Sequence, residues 1–187
     1  QSNPSNEIES LESFGYLLGH PIFIGSLFSI GYTYGYIYDK KIQTTSYLTL
    51  KSMIISNVVV HGLKLTTHRS RPKTGNGSQQ FDGPSLSLDD DTLSFPSSHT
   101  ATAFSVATVL SQQYPKSSIW AYSLATMVGW SRIQSSNHYP SDVFVGALIG
   151  HFATKSILNL ESNRANKVTV SPLIYSNAIG VNLMVLL

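Results

Sequence analysis

Cysteine is absent from this chain of 187 residues, which excludes disulfide bonds, thiolate metal sites and a cysteine nucleophile. Charged residues are also scarce, at 12% of the sequence, about half of the roughly one quarter that is typical of globular proteins. The net charge of +2 and the lack of a basic run interleaved with aromatic residues give no support for a nucleic-acid partner. No H-E-x-x-H motif or other metal-ligand pattern is present, so we expect no metal cofactor.

The length suits one domain whose core needs no disulfides, and we predict a single domain over residues 1–187. Apolar periodicity and the positions of proline predict a mainly α protein, a helical bundle. The predicted helices cover 9–19, 21–39, 44–67, 98–113, 117–131 and 140–159. The helical core therefore extends over about 9–160. Alternating apolar residues within about 166–187, on both sides of a break at 176–180, predict a short C-terminal β-hairpin.

The stretch 73–95 is rich in Gly, Ser, Asp and Pro and has no periodic apolar face, which predicts a long loop. Long loops in compact domains are often functional. Because this loop joins two blocks of polar residues described below, we expect it to border a pocket and to select the substrate. Its acidic run, Asp89 to Asp91, is expected to be a solvated run of charge.

Three short blocks contain the residues with the most specific chemistry. In chain order they are K-x6-R-P at 64–72, P-S-S-H at 96–99 and S-R-x5-H-x3-D at 131–142. Each block alone is uninformative, since a solvated basic face, a capped helix or a surface histidine gives the same letters. Together, in this order and at these spacings, they resemble the signature blocks of the type 2 phosphatidic acid phosphatase superfamily. That superfamily includes bacterial non-specific acid phosphatases and vanadium haloperoxidases, and the resemblance implies a helical phosphatase.

Phosphate ester hydrolysis accounts for the cations of the first and third blocks. A transferring phosphoryl group needs positive donors on its equatorial oxygens, an in-line nucleophile and an acid for the leaving alcohol. Lys64, Arg71 and Arg132 can supply the donors. The two arginines can fix geometry through their planar forks, whereas the lysine adds charge. We therefore expect these three side chains to bind the phosphate.

The two histidines of the blocks take their roles from the resemblance, since spacing alone does not distinguish them. His138 is then the nucleophile and forms a phosphohistidine that water later hydrolyses. Asp142 lies in the first turn of a helix expected to begin near Pro140, where it can accept a hydrogen bond from the imidazole and fix its tautomer. His99 is left as the general acid, and later as the base for the water.

Ser97 or Ser98 can cap the apolar stretch that follows, so that free N–H groups at a helix N-terminus face the phosphate. We therefore predict that both serines bind phosphate. Ser98 stands where the family's second block has glycine, which leaves open how closely the backbone approaches the phosphate there. Within the spacer of the first block, His68 and Arg69 are expected to face solvent.

The segment 14–38 has no Lys, Arg, Asp or Glu and is long enough to cross a bilayer, but glycines and a proline interrupt it. Four further apolar stretches lie at 53–60, 101–110, 119–130 and 143–153. Their length of about 8–12 residues is more typical of buried core helices than of membrane spans, so we favour a soluble or peripheral enzyme that contacts the membrane surface. A start at Gln1 suits a trimmed mature chain, and we expect an exported protein of the periplasm or cell envelope.

These observations predict a metal-independent phosphomonoesterase that acts through a phosphohistidine on a lipid-like or other envelope phosphate ester. It should need no cofactor and be inhibited by vanadate. Three alternatives stay open. The first is a membrane-embedded lipid phosphate or isoprenyl diphosphate phosphatase with the same site. The second is a vanadate-dependent haloperoxidase, because vanadate mimics the phosphate transition state. The third is a phosphate-lipid binding module whose catalysis has lapsed because Ser98 disturbs the second block.

Overall fold

The computed structural model describes the backbone of residues 4–175 and 178–185 and the side chains of residues 12–164. Within this part, three short 3-10 turns, Pro72–Thr74, Asp90–Thr92 and Pro115–Ser117, lie in the connections. The α-helices are α1 Pro4–Gly19, α2 Pro21–Tyr38, α3 Lys40–Thr67, α4 Ser98–Gln113, α5 Ser118–Gln134 and α6 Pro140–Lys167. The predicted mainly α, helical-bundle fold is confirmed, and each predicted helix is present.

Two strands follow α6 directly, β1 (Val168–Tyr175) and β2 (Ala178–Val185). They pair antiparallel, with Val168 opposite Val185 and Tyr175 opposite Ala178. The break that the sequence predicts at 176–180 includes residues 176 and 177, which lie outside the described residues. The helices therefore form the bundle, and the two strands follow it in the chain.

Local chemistry accounts for the helix boundaries. The Asp39 carboxylate accepts hydrogen bonds from the backbone N–H groups of Lys41 (2.8 Å) and Ile42, and so caps α3. Pro21 and Pro140 are the first residues of α2 and α6, a position that suits proline because its nitrogen has no hydrogen to leave unpaired. The three sequence blocks all lie at such helix ends, where free backbone groups are available.

Helix directions bring these ends together. Residues 56 and 57 of α3 contact residues 105 and 102 of α4. Residues 108 and 100 of α4 lie against residues 122 and 129 of α5, so α4 runs antiparallel to both neighbours. Helix α6 runs parallel to α4, since glycines 146 and 150 lie against residues 97 and 101. The last turns of α3 and α5 therefore meet the first turns of α4 and α6. We call this the site end of the bundle, and the opposite end the far end.

The interior of the bundle consists mostly of small side chains. Its buried residues include Ala103, Ala107, Ala121, Ala125, Thr49, Ser52, Ser56, Thr102, Ser105, Thr108 and Thr154. Large apolar side chains point outward instead: Ile119 is 78% exposed, Phe144 63% and Phe152 61%. The stretches 119–130 and 143–153 therefore bury one face of small residues in the core, as expected of core helices, but expose their large side chains. Closely packed helices leave room for small residues between them, so the bulky residues face outward.

By length and composition alone, one helix of the described chain could cross a bilayer, and a bent pair of helices would count as a second only if the two form one span. The single helix is Pro140–Arg164 of α6. The pair is Glu12–Gly19 together with Pro21–Tyr38, which is bent by 57°. The bend falls at His20, between α1 and α2, so the uncharged segment 14–38 is a corner rather than one straight helix.

Candidate active site

The three sequence blocks meet at the site end, although Lys64 and His138 are 74 positions apart in the chain. Their polar side chains are withdrawn from solvent, each less than one tenth exposed: Lys64, Arg71, Ser97, Arg132, His138 and Asp142. His99, on the first turn of α4, is half-buried, and its Nε2 has no hydrogen-bond partner among the described residues. Such a concentration of buried polar groups requires internal partners or a ligand.

Asp142 is fully buried and is the centre of a hydrogen-bond network. Its Oδ1 accepts from Arg69 Nη1 at 2.5 Å, and its Oδ2 accepts from Ser94 Oγ at 2.6 Å and from the Tyr139 N–H at 2.9 Å. The same Oδ2 lies 3.7 Å from His138 Nδ1, which is too long for a hydrogen bond. Asp142 and the imidazole are therefore neighbours, as predicted, but no hydrogen bond joins them. Such contacts are often long before substrate binds.

Arg69 is a site residue that the sequence analysis missed. It is 6% exposed, and besides Asp142 it binds the Ser78 carbonyl through Nε and Nη2 (2.6 Å). Its guanidinium also lies 4.3 Å from the centre of the Tyr139 ring. His68 is likewise buried, with Nε2 3.0 Å from the Ser87 carbonyl, so the expectation that both residues face solvent is wrong.

The way in which α3 ends explains why His68 and Arg69 are buried. His68 has φ 40° and ψ 57°, a left-handed conformation that ends the helix and turns the chain. Helical periodicity therefore does not predict the direction of Arg69. The available signal was a second arginine two positions before Arg71 in a chain with few charges.

Two of the predicted phosphate-binding cations lack a carboxylate partner among the described residues. The Lys64 ammonium donates to the Leu93 carbonyl. Arg132 donates from Nε to Ser131 Oγ at 3.3 Å and from Nη2 to the Glu12 backbone carbonyl at 3.2 Å. Buried positive charge that only neutral oxygens contact makes the pocket attractive to an anion.

The third cation, Arg71, is held by the loop. Its Nη2 lies 2.5 Å from Asp90 Oδ1, and its Nε donates to the Asp90 carbonyl at 2.6 Å. Lys73 pairs with Asp91 at 2.7 Å. The acidic run is exposed, as expected, but two of its three carboxylates also pair with cations, Asp90 with Arg71 and Asp91 with Lys73.

The pKa values of the site follow from burial among cations. Burial, with Arg71 nearby, lowers the pKa of Lys64 to about 7. Burial likewise lowers the pKa of His138 to about 4, against the opposing effect of Asp142, and the pKa of His99 to about 3, with Arg132 adding to the effect. Both imidazoles are therefore neutral at pH 7. A neutral imidazole has the lone pair that a nucleophile needs.

The second block begins α4. Ser97 is the N-cap, and its Oγ accepts from the N–H of Thr100 (3.4 Å) and from the Thr100 hydroxyl (3.0 Å). Ser98 is the first helical residue. Residues other than glycine with positive φ in the described chain are His68 and Ser136, so position 98 does not need glycine. The serine at position 98 therefore needs no strained backbone. Phosphate binding by the two serines stays a prediction.

Residues 46–165 match the model of the PAP2 superfamily. The chain is 44% identical over 61 residues to the Lipid A 1-phosphatase of Porphyromonas gingivalis, which covers 30% of this chain and 14% of that protein. It is 46% identical over 57 residues to the Bacitracin transport permease protein BcrC of Bacillus licheniformis, which covers 30% of this chain and 28% of that protein. The matches thus span less than a third of either relative.

Two crystal structures have a similar fold. LpxE of Aquifex aeolicus has a TM-score of 0.65 and 28% identity, with 84% of this chain and 88% of that chain covered. The first transmembrane PAP2 type phosphatidylglycerolphosphate phosphatase from Bacillus subtilis has a TM-score of 0.56 and 21% identity, with 87% and 79% covered. The family model covers well over half of the chain, including all the site residues predicted from the three blocks. The chain therefore belongs to the PAP2 superfamily.

Proposed function

We propose that this protein is a membrane-embedded phosphatase that hydrolyses a lipid phosphate ester through a phosphohistidine on His138, without a metal ion. One observation carries the proposal. Two neutral histidines, a buried carboxylate and three cations converge at one end of the helical bundle. These are the groups that in-line phosphoryl transfer to an imidazole requires.

In the first step the phosphate enters among Lys64, Arg71 and Arg132. Its negative charge favours the protonated form of Lys64, whose pKa is lowered to about 7, so that all three side chains neutralise the equatorial oxygens. A ring nitrogen of His138 attacks phosphorus, and the bond to the leaving oxygen breaks as the new P–N bond forms. Positive charge develops on the imidazole. Asp142, 3.7 Å from Nδ1, is close enough to stabilise that charge and to accept a hydrogen bond once the ring moves slightly.

The leaving oxygen departs on the side opposite the nucleophile, where His99 donates a proton to it. Burial and nearby cations lower the pKa of His99, so we infer that His99 acquires this proton together with the anionic substrate, whose charge offsets the cations. In the second step, His99 takes a proton from the attacking water. The phosphohistidine is hydrolysed and inorganic phosphate leaves.

Several features support a bilayer location. The described helices expose large apolar residues and bury small and hydroxyl-bearing ones, a distribution typical of helices packed in lipid. An apolar groove of about 200 Å³ also opens between α2 and α5. It is lined by Leu18, Ile24, Leu27, Val106, Leu124 and Val128, among others. Val128 in its wall and the site residue His99 both lie against Gly19, so the groove reaches close to His99, and we assign it to the hydrocarbon part of a lipid alcohol.

The distribution of cations supports an orientation. Exposed cations at the far end include Lys40, Lys41, Lys116 and Arg164. At the site end, the exposed Lys73 is paired with Asp91. Loops rich in lysine and arginine stay in the cytoplasm, so the site faces the opposite side of the membrane. This agrees with an exported, envelope-facing substrate.

Rapid quenching in alkaline detergent, which preserves the acid-labile P–N bond, after mixing with a ³²P-labelled lipid phosphate tests the mechanism. We expect label on His138 in the wild-type protein, none in His138→Gln, and full labelling in His61→Gln, a control on an exposed histidine of α3. EDTA should leave turnover unchanged, and vanadate should compete with substrate. Label on another residue would exclude the nucleophile. Activity that is lost with chelator and restored by a divalent ion would exclude the metal-independent mechanism.

A further inference from the structure

The corner between α1 and α2 reaches the active site from outside the residues that match the family model. The Tyr16 ring lies 4.9 Å from the His99 ring, and the His20 ring lies 5.6 Å from it. Tyr16 and His20 are themselves 5.1 Å apart. The rings of Tyr16 and His20 thus contact the ring of His99, which protonates the leaving group in the proposed mechanism.

Two glycines allow this approach. Gly15 and Gly19 are one helical turn apart and face α5 and α4. A Cβ at Gly15 would lie 2.6 Å from Ser131 Cβ, and one at Gly19 would lie 2.6 Å from Val128 Cγ1 and 3.0 Å from His99 Cβ. Distances this short exclude side chains at both positions. The residue after each glycine, Tyr16 and His20 respectively, is therefore held against the site.

The charges around the corner indicate what it can bind. The Arg132 guanidinium lies 5.2 Å from the centre of the Tyr16 ring, so Tyr16 stands between a phosphate-binding cation and His99. No hydrogen bond joins the His20 ring to a residue whose side chain is described, and the ring is half-buried beside the half-buried His99. An imidazole in this position can donate to, or accept from, oxygen atoms of a ligand.

We propose that Tyr16 and His20 form a leaving-group subsite that binds oxygen atoms next to the scissile ester, either hydroxyl groups or a second phosphate. In-line attack by His138 places the leaving group on the His99 side, where the corner lies. The apolar groove starts at the same corner, with Leu18 and Ile24 in its wall. The subsite thus lies between the phosphate and the hydrocarbon chain, where it binds the polar part of the alcohol. This inference rests on the proposed function.

The test compares ester hydrolysis with a reaction that has no leaving alcohol. A phosphatase that works through a phosphoenzyme exchanges ¹⁸O between inorganic phosphate and water, and that exchange uses the phosphate site but not the subsite. The purified full chain is measured with lysophosphatidate, which has a hydroxyl beside the ester, with farnesyl diphosphate, which has a second phosphate, and with dodecyl phosphate, which has neither.

We expect His20→Ala to lower kcat/KM about tenfold or more for whichever of the first two substrates the wild type prefers, because a polar group loses its partner. With dodecyl phosphate and in the ¹⁸O exchange, the change should stay within about threefold. His20→Gln should recover part of the loss, because its amide keeps a donor and an acceptor. Phe23→Ala, an exposed ring three positions along, serves as the control and should behave as wild type.

Equal losses in hydrolysis and exchange would overturn the subsite and show that His20 supports the phosphate site. If the wild-type protein catalyses both reactions and His20→Ala has the same kcat/KM with every substrate, the subsite is also overturned, but the proposed function stands. A wild-type protein that catalyses neither reaction would overturn the proposed function, and the subsite with it. Tyr16→Leu keeps bulk at the corner and repeats the comparison with the aromatic face removed.

Discussion

The contact between Arg69 and Asp142 shows how a residue outside the signature positions supports them. Both side chains are buried, at 7% and 0% exposure, and the pair is 2.5 Å apart. Asp142 would otherwise be an uncompensated buried charge beside His138, and that is costly. Arg69 touches Asp142 rather than the proposed phosphate position, so we interpret it as a positioning residue that acts through the carboxylate.

Removing this arginine should therefore affect both stability and turnover. Arg69→Met leaves Asp142 buried without its cation, and breaking a buried pair costs about 3–5 kcal/mol. We expect a lower melting temperature, and a rate of phosphohistidine formation that falls about 10²-fold or more because His138 loses its orientation. Lys73→Met breaks an exposed pair with Asp91 and serves as the control. An exposed pair contributes about 0–1 kcal/mol.

If Arg69→Met lost stability but kept the wild-type rate of phosphoenzyme formation, the arginine would be structural only. The double variant Arg69→Met with Asp142→Asn separates the two effects. Because the uncharged amide needs no cation, the second substitution should restore part of the melting temperature without restoring the rate.

The depressed pKa of His138 predicts how stability depends on pH. In the folded protein this pKa is about 4, below its ordinary value of 6.5, so the folded state favours the neutral ring. Between these two pH values the unfolded chain binds more protons. The stabilisation is therefore fully present above about pH 6.5 and is lost as pH falls towards 4.

We expect the melting temperature to fall as pH is lowered from 7 to about 5. His138→Gln should reduce this fall without abolishing it, because burial also lowers the pKa values of His99, His61 and His151, which account for the rest. Differential scanning fluorimetry of both proteins measures the melting temperature at each pH. An identical pH dependence in the two proteins would mean that His138 has an ordinary pKa.

At the scale of elements, the loop 73–95 supports the catalytic geometry as well as bordering the site. Its Ser78 carbonyl binds Arg69, and its Asp90 binds Arg71. The loop also pairs with the chain after α3 through the bridge between Arg69 and Phe81. A loop that only selected the substrate would not hold Arg71, one of the predicted phosphate-binding cations. We therefore revise the expectation that its role is selection alone.

Two variants of this loop should behave differently. Asp90→Asn leaves Arg71 without its carboxylate, and we expect vanadate and all substrates to bind about tenfold more weakly, since a charge-assisted bond orders the arginine. Leu86 and Leu88 are 87% and 80% exposed and touch neither cation. Replacing both with serine should reduce activity on vesicle-bound lipid while an aryl phosphate in detergent is hydrolysed as before. If Asp90→Asn bound vanadate normally, the loop would be only a gatekeeper.

At the scale of the whole molecule, the proposed orientation is directly testable because the chain has no cysteine. Ser87→Cys at the site end and Lys116→Cys at the far end each introduce the chain's single thiol on an exposed position. In intact cells, a membrane-impermeant maleimide should label the first and not the second, since the far end has the excess of exposed cations. After lysis both should react. The opposite pattern in intact cells would reverse the orientation, and release by salt without detergent would exclude embedding.

The sequence by itself determined the helices and the chemical class of the site, although it placed the start of α3 at 44 rather than 40 and the end of α6 at 159 rather than 167. Helix boundaries depend on local signals such as Asp39, Ser97 and Pro140, which act within one turn of the chain. The three blocks are equally local. Phosphoryl transfer restricts which residue types can occupy them, so their letters and spacings identified the family before any contact between helices was known.

Tertiary structure alone decided which residues complete the site and which surfaces are exposed. Arg69 and Asp142 are 73 positions apart, and Tyr16 reaches His99 from another helix, so no local pattern reports either contact. Burial was decided in the same way. An apolar stretch predicts burial in water, but here the close approach of helices admits small side chains between them and turns the large ones outward. The direction of a side chain depends on what packs beside it, and the packing is a property of the whole bundle.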